Sequence, residues 1–304
     1  MIPLTVIGGY LGAGKTTLIN ALLAGGHGRR LAVLVNDFGA INIDARLIAA
    51  HDGDTLSLSN GCVCCTIADA LGDALDKVLA MDPLPDQIIV EASGVANPAK
   101  IAMYGQGWPG LELDGVVVLV DGENIRALAA DKFVANTIQL QLAGADLLLL
   151  NKTDLLTNDE RDGVTSWLAA RVAQVADSRI IPASFGDIPF SVLLGSGGVA
   201  KLGGTEDHGA YQSVEFRTRK ALDRAQLLQQ IANWPRAVLR AKGLVYLRDD
   251  PRRAYVLQLV GSRHELTAGP AWDGEVPETQ LVMIGAAGRI NPDYLKTSLL
   301  SACG

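Results

Sequence analysis

The chain has 304 residues, 49% apolar and 19% charged, which excludes a disordered or fibrous chain and allows a sizeable core in one large or two ordinary domains. Its formal net charge of −7, from 26 basic and 33 acidic side chains, argues against a general nucleic-acid or membrane-surface binder. No run approaches the roughly 18 apolar residues that span a bilayer, and "MIPLTVIGG" has no basic stretch or cleavage site, so a cytoplasmic protein is expected, in which the four cysteines are not structural disulfides.

The first predicted strand, Leu4–Gly8, runs into "GGYLGAGKTT" and a predicted helix over Lys15–Ala24. Gly9, Gly14, Lys15 and Thr16 satisfy G-x-x-x-x-G-K-S/T in the strand–loop–helix setting that this motif requires. A glycine-rich turn lets backbone N–H groups approach phosphate oxygens, and the helix N-terminus adds positive potential. Lys15 is placed to reach β- and γ-phosphates, and the Thr16 hydroxyl to ligate Mg²⁺. A second strand, Leu31–Asn36, leads into "NDFGAINID", where a nucleotide-responsive switch would begin; Asp37 faces Mg²⁺, a transition metal or solvent.

The third strand, Thr55–Ser59, precedes "LSNGCVCCTIADAL", which puts three of the four cysteines into four residues. Cys62, Cys64 and Cys65 form C-x-C-C ahead of a helix predicted over Ile67–Met81. Thiolates suit Zn²⁺, Co²⁺ and Ni²⁺, and a helix N-terminus lowers thiol pKa values. Three ligands leave a tetrahedral ion one open position, unlike a closed structural site. The competing readings are small buried hydrophobes and a redox pair, the latter outside its usual context. His27, His51, His208 and His264 are scattered and read as ordinary surface residues, and Cys303 as incidental.

The strand Gln87–Ala92 ends in "EASG", which supplies Glu91 at the Mg²⁺ edge and the Gly94 amide toward a γ-phosphate; a carboxylate capping the next turn is the alternative. A strand over Gly115–Asp121 and a helix over Asn124–Leu142 follow, then the strand Asp146–Asn151. That strand ends in "NKTD". Asp154 at this place accepts from both N1–H and the exocyclic amine of guanine, whereas adenine would leave it unsatisfied. A polar helix cap is the other reading of Thr153 and Asp154. A helix over Asp159–Val175 and a strand over Arg179–Ser184 complete the alternation, and the Ser184 region is a weaker candidate for contact with the base. Consecutive apolar positions in these strands, with helices between them, imply a doubly wound, mostly parallel α/β domain over 1–194.

"GSGGVAKLGGTEDHG" is glycine-rich and aperiodic and reads as a linker over 195–210. Over 211–304 the pattern becomes a smaller α+β domain. It comprises a strand "YQSVEFRT", a helix "DRAQLLQQIANW", strands near "GLVYLR", "RAYVLQLV" and "TQLVMIG", and a last helix from "NPDYLKTSLL".

The phosphate loop, Glu91–Gly94, Asn151–Asp154 and Gly61–Cys65, in that combination, resemble the CobW-like family of P-loop GTPases, and the resemblance spans nearly the whole chain. It implies GTP/GDP and Mg²⁺ as ligands, with phosphate binding by Gly9, Gly12, Ala13, Gly14, Lys15, Thr16 and Thr17. It also implies base recognition by Asn151, Lys152 and Asp154, catalysis by Lys15, Thr16 and Glu91, and a transition metal on Cys62, Cys64 and Cys65. The implied role is a metal-insertion GTPase serving an apo-metalloprotein client, with a homodimer compatible. A nucleotide-gated zinc sensor with negligible hydrolysis is the alternative. Where the family pattern reads Asn-Glu-Phe-Gly-Glu, this chain has Asn36-Asp37-Phe38-Gly39-Ala40, which removes one carboxylate; its linker has only His208 in place of a histidine-rich segment. No residue is assigned as a water-positioning glutamine or arginine finger, so slow intrinsic turnover is expected.

Overall fold

A computed structural model describes residues 1–25, 28–35, 55–57, 67–172, 179–184, 188–194 and 211–303, with the side chains of 55–57 and 67–70 left aside. The chain divides into two compact units, Met1–Phe190 and Ser191–Gly304.

The first unit is built on a seven-stranded sheet. Its strands are β1 (Ile2–Gly9), β2 (Leu31–Val35), β3 (Thr55–Ser57), β4 (Gln87–Glu91), β5 (Leu111–Asp121), β6 (Leu147–Asn151) and β7 (Ile180–Pro182). They lie in the order β3-β2-β4-β1-β5-β6-β7, and every pairing is parallel. Strands such as LAVLV in β2 and LLLLN in β6 are buried at each position, as expected where both faces are covered. The helices are α1 (Lys15–Ala24), α2 (Ile67–Leu79), α3 (Pro98–Gly107), α4 (Ile125–Ala130), α5 (Ala135–Ala143), α6 (Asn158–Arg171) and the short α7 (Phe190–Leu194), which crosses the division between units. One core joins Leu4, Val6, Ile88, Val90, Val118, Leu148 and Leu150 of the strands to Leu75, Ile101, Ile138 and Leu168 of the helices. Truncating a leucine such as Leu148 to alanine there costs about 2–5 kcal/mol.

The helix expected over Asn124–Leu142 is two helices. Asp131 ends α4, and its carboxylate accepts from the Phe133 N–H at 2.8 Å, so an Asx turn replaces the next helical bond. Helix α6 starts on a reciprocal cap: the Thr157 hydroxyl accepts from Glu160 N–H, and the Glu160 carboxylate accepts from Thr157 N–H. At the opposite end of the sheet from the site described below, Asp114 is the extra residue of a bulge between Leu4/Thr5 and Leu113/Gly115. Its buried carboxylate accepts from Thr5 Oγ1 at 2.9 Å, and Gln87 Nε2 donates to the same Thr5 oxygen.

The second unit carries a five-stranded antiparallel sheet in the order β11-β10-β9-β12-β8. The strands are β8 (Tyr211–Thr218), β9 (Val238–Tyr246), β10 (Arg253–Val260), β11 (Arg263–Ala271) and β12 (Thr279–Ala286); the helices are α8 (Arg224–Ala232) and α9 (Pro292–Ser301). Leu227 and Ile231 of α8 and Leu295 and Leu299 of α9 share a core with Phe216, Val245, Leu257 and Met283 of the sheet. Trp234 Nε1 donates to Ser298 Oγ at 2.9 Å, which satisfies the one polar atom of a buried indole. Strand β11 is not expected from the sequence. Among the described residues it pairs only with β10, and Gly269 and Pro270 dilute its alternation.

Candidate nucleotide site

Because all strands of the first sheet are parallel, their last residues share one edge. Gly9, Glu91, Asp121 and Asn151 end β1, β4, β5 and β6. Strand β1 lies between β4 and β5, with Ile7 opposite Glu91 and Gly9 opposite Leu119, and Asp121 lies opposite Asn151. The chain leaves β1 for one side of the sheet and reaches β5 on the other. That reversal of order is where open α/β sheets bind ligands.

The phosphate loop occupies this edge. Gly9, Gly12 and Gly14 have φ values of 134°, 75° and 100°, conformations that side chains resist. Two of the three are also closed to a side chain by space. A Cβ on Gly9 would lie 2.5 Å from the Leu119 carbonyl oxygen, and one on Gly14 would lie 2.3 Å from Asn151 Nδ2. Gly14 caps α1, so Lys15, Thr16 and Thr17 form its first turn, whose N–H groups have no partner within the helix. Lys15 is buried, and its Nζ donates to the Gly9 carbonyl at 3.0 Å, folding the side chain over the loop. Thr16 Oγ1 donates to Glu91 Oε1 at 3.3 Å, which brings the predicted hydroxyl and carboxylate Mg²⁺ ligands together. Glu91 is 2% exposed. A hydroxyl facing a buried carboxylate at the mouth of a phosphate loop suits a hard cation bound through oxygen.

Beyond Glu91, Gly94 sits against the phosphate loop. A Cβ there would meet Leu11 Cδ2 at 2.4 Å and the Leu11 backbone nitrogen at 2.9 Å. The buried Gly94 N–H makes no hydrogen bond among the described residues.

Asn151 Nδ2 donates to the Ala13 carbonyl at 2.8 Å, joining the end of β6 to the phosphate loop. Lys152 follows with φ 62° and ψ 34°, a left-handed conformation unusual for a residue with a side chain. Its Nζ lies 2.7 Å from Asp121 Oδ2. Asp121 also accepts from the Glu123 and Asn124 N–H groups and from Asn124 Nδ2. Burial alone would raise its carboxyl, but the Lys152 and Asn124 hydrogen bonds and the Lys152 charge outweigh that and hold it below the usual range. Thr153 Oγ1 donates to the Ala183 carbonyl at 2.9 Å and lies 2.9 Å from Ser184 Oγ, so the segment after β7 braces the same turn. Asp154 is left exposed in the short 3₁₀ turn Thr153–Leu155.

Two contributors have no motif to announce them. Asp121 ends an ordinary buried strand, and its link to Lys152 spans 31 positions. Gln141 of α5 donates from Nε2 to the carbonyls of Gly94 and Ala96, across 47 and 45 positions.

Cys62, Cys64, Cys65 and Asp37 lie outside the described residues, as do His27, His51, His208 and the stretch 195–210. Among the described residues no group of three or more His, Cys, Asp or Glu side chains forms a metal centre. His264 is exposed on β11, and Cys303 is buried beside the Leu299 carbonyl with its thiol pushed up by burial. No helix among the described residues is long and apolar enough to cross a membrane.

Comparison with known proteins covers both units. The nucleotide-binding domain of the CobW/HypB/UreG family matches residues 3–178, and the C-terminal domain of the cobalamin synthesis protein cobW matches residues 211–303. The zinc chaperone CobW of Sinorhizobium sp is 31% identical over 334 residues, covering 93% of this chain and 92% of that protein. The zinc chaperone YjiA of Escherichia coli is 29% identical over 310 residues, covering 93% and 94% respectively. Zinc-regulated GTPase metalloprotein activator 1 of Schizosaccharomyces pombe is 36% identical over 170 residues, covering 52% of this chain and 40% of that protein.

Proposed function

The chain belongs to the CobW/HypB/UreG family, and from that membership we propose that it hydrolyses GTP and uses the nucleotide state to hold and release a divalent transition metal, zinc before cobalt or nickel, for an apo-metalloprotein client. The observation that carries the nucleotide half of this reading is the Asn151–Ala13 hydrogen bond. It ties the turn after β6, which this reading gives to the base, to the phosphate loop. The zinc chaperones among the relatives support the choice of metal.

In this reading the N–H groups of Gly12 and of Gly14 to Thr17 bind phosphate oxygens, the Ala13 N–H being given to the Tyr10 carbonyl at 3.1 Å, and Lys15 moves from Gly9 to the β- and γ-phosphates. Thr16 and Glu91 hold Mg²⁺, which when bound neutralises charge on those phosphates. Water attacks the γ-phosphorus, the bond to the β-phosphate oxygen breaks, and GDP, phosphate and a proton leave. Asp154 accepts from guanine N1–H and the exocyclic amine, while Asn151 and Lys152 brace the turn that presents it. Cys62, Cys64 and Cys65 grip the transition metal as thiolates. In sequence their loop follows β3 and Asp37 follows β2, two strands of the same parallel sheet whose C-terminal edge is assigned here to the phosphates. A metal bound better in one nucleotide state shifts nucleotide affinity by the same factor.

The test is a titration of Zn²⁺ and of Co²⁺ into the full chain holding GDP or a non-hydrolysable GTP analogue. Different metal affinities in the two states are expected. Equal affinities overturn the coupling. Cys64→Ala is expected to lose tight metal binding and keep guanine nucleotide. Metal binding without phosphate release in a single turnover would reassign the protein as a nucleotide-gated metal sensor.

A further inference from the structure

We propose that Gln141 is the positioning residue that aims the Gly94 amide at the terminal phosphate, so that its side chain sets how well the protein tells GTP from GDP. This rests on the reading of the site as a GTP site. The loop after Glu91 is costly to order. Its central residue is a glycine, the residue with the most backbone freedom to lose on ordering. Gly94 cannot be replaced by a stiffer residue, because Leu11 of the phosphate loop fills the space where a Cβ would stand. Something outside the loop has to hold it.

The two ends of the loop are secured locally. Ala92 N–H donates to the Ile7 carbonyl at 2.8 Å, continuing the β1–β4 ladder. At the far end Asn97 caps α3 by accepting from Ala99 N–H at 3.0 Å. Between them Ala96 N–H donates to the Ser93 carbonyl at 2.9 Å. Ser93 C=O and Gly94 N–H belong to one planar peptide unit, so that bond directs the Gly94 N–H the opposite way. The next unit, which carries the Gly94 carbonyl, is held by Gln141 at 3.0 Å, and the unit carrying the Ala96 carbonyl is held by the same nitrogen at 3.0 Å. Gln141 thus restrains the central peptide plane of the Ser93–Ala96 turn and the plane that follows it.

Gln141 is 2% exposed. Both hydrogens of its amide nitrogen are engaged by carbonyls, which leaves that nitrogen nothing to offer a reacting water. Its helix is itself wedged against the loop's exit: a Cβ on Gly144, the residue that ends α5, would lie 3.2 Å from Ala99 Cβ in the first turn of α3. The clamp therefore stands on an element packed against the segment it holds. A GDP-bound site makes no demand on the Gly94 N–H, whereas a γ-phosphate does. Loss of the clamp falls on the triphosphate state.

The experiment uses the full chain with Gln141→Met, which keeps the length and burial of the side chain and removes both donors. Affinity for a non-hydrolysable GTP analogue is expected to fall about five- to tenfold, the scale of a lost positioning hydrogen bond, while GDP affinity stays within about twofold. The single-turnover rate with GTP falls with it. A merely structural role lowers the thermal midpoint and moves both nucleotides together, so an unchanged GTP-analogue to GDP ratio overturns the proposal whatever happens to stability. Should the Met variant fail to fold, Gln141→Asn, whose amide sits one methylene short of both carbonyls, replaces it: a fall in the same ratio is again expected, and an unchanged ratio again overturns the proposal. Wild-type protein that binds no guanine nucleotide overturns the GTP reading and this inference with it; an unchanged ratio in variants of a wild type that does bind overturns this inference alone.

Discussion

The side-chain amide of Asn151 donates to the Ala13 carbonyl at 2.8 Å, and its Oδ1 is buried with no hydrogen-bond partner among the described residues. One half of the amide is thus committed to the phosphate loop, and the other is a buried acceptor whose desolvation is uncompensated. Asn151→Ala removes the tether and exposes the Ala13 carbonyl. In the proposed reading the loop serves both nucleotides, so GTP and GDP affinities are expected to fall together, by about 1–3 kcal/mol each. Isothermal titration with both nucleotides checks this, and a loss confined to one of them contradicts it.

Gly14 is the second test of that junction. Alanine there must hold φ near 100° and place its Cβ 2.3 Å from Asn151 Nδ2. Backbone strain of about 1–3 kcal/mol and displacement of the tether both follow. Gly14→Ala is expected to lower the denaturation midpoint in the absence of nucleotide and to weaken nucleotide binding more than Asn151→Ala does. Gly12 has a positive φ but open space around its Cβ position, so Gly12→Ala carries the strain without the collision and is the milder variant.

The proposed reading gives base choice to Asp154. Asparagine at this position presents a donor where guanine's exocyclic amine also donates. Asp154→Asn is expected to cost GTP on the order of 3 kcal/mol or more and to favour xanthosine triphosphate, which carries a carbonyl at that place. Competition between the two nucleotides gives the ratio directly. Retained GTP preference would remove Asp154 from the base site.

The Asp121 carboxyl, held below its ordinary range by Lys152 and Asn124 against the opposing pull of burial, makes a pH-dependent contribution. The folded state binds fewer protons than the unfolded state near this pKa. The stabilisation is therefore complete above the unfolded value of about 3.9 and is lost as pH falls through the lower, folded value. Urea midpoints of wild type and Asp121→Asn are expected to differ most at neutral pH and to converge in acid. A gap that persists unchanged below the carboxylate range contradicts the assignment. The same variant frees Lys152 from its left-handed turn, so weaker guanine binding is expected at pH 7.

Much of the first unit is legible in the sequence because it is locally encoded. The helix expected over Lys15–Ala24 has those bounds, and the strand ends fall within a few residues of the expected ones, since consecutive buried apolar positions bounded by polar ones leave little choice. The parallel sheet follows from those apolar runs alternating with helical patterns, and the family from the motifs that follow the strands. The break between α4 and α5 escapes because it turns on one Asp131 carboxylate capturing the Phe133 N–H, a contest between side chain and helix that periodicity does not register. Strand β11 escapes because an edge strand needs only one partner and tolerates Gly269 and Pro270. At the site, the residues with a motif are visible and those acting through tertiary contact are not. Asp121 and Gln141 carry no local pattern, and each finds its partner only after the sheet has assembled. The motifs of Thr16 and Glu91 name both as Mg²⁺ ligands without placing them; the 3.3 Å between them is a product of β1 and β4 lying side by side.

The crowding of Leu11 against Gly94 has an evolutionary corollary. Position 94 cannot drift: even a methyl group there strikes the backbone of the phosphate loop. Selection on the turnover proposed for this protein has no purchase at that position. If Gln141 seats the loop as proposed, homologues that run at different speeds are expected to diverge around Gln141 while agreeing at the glycine.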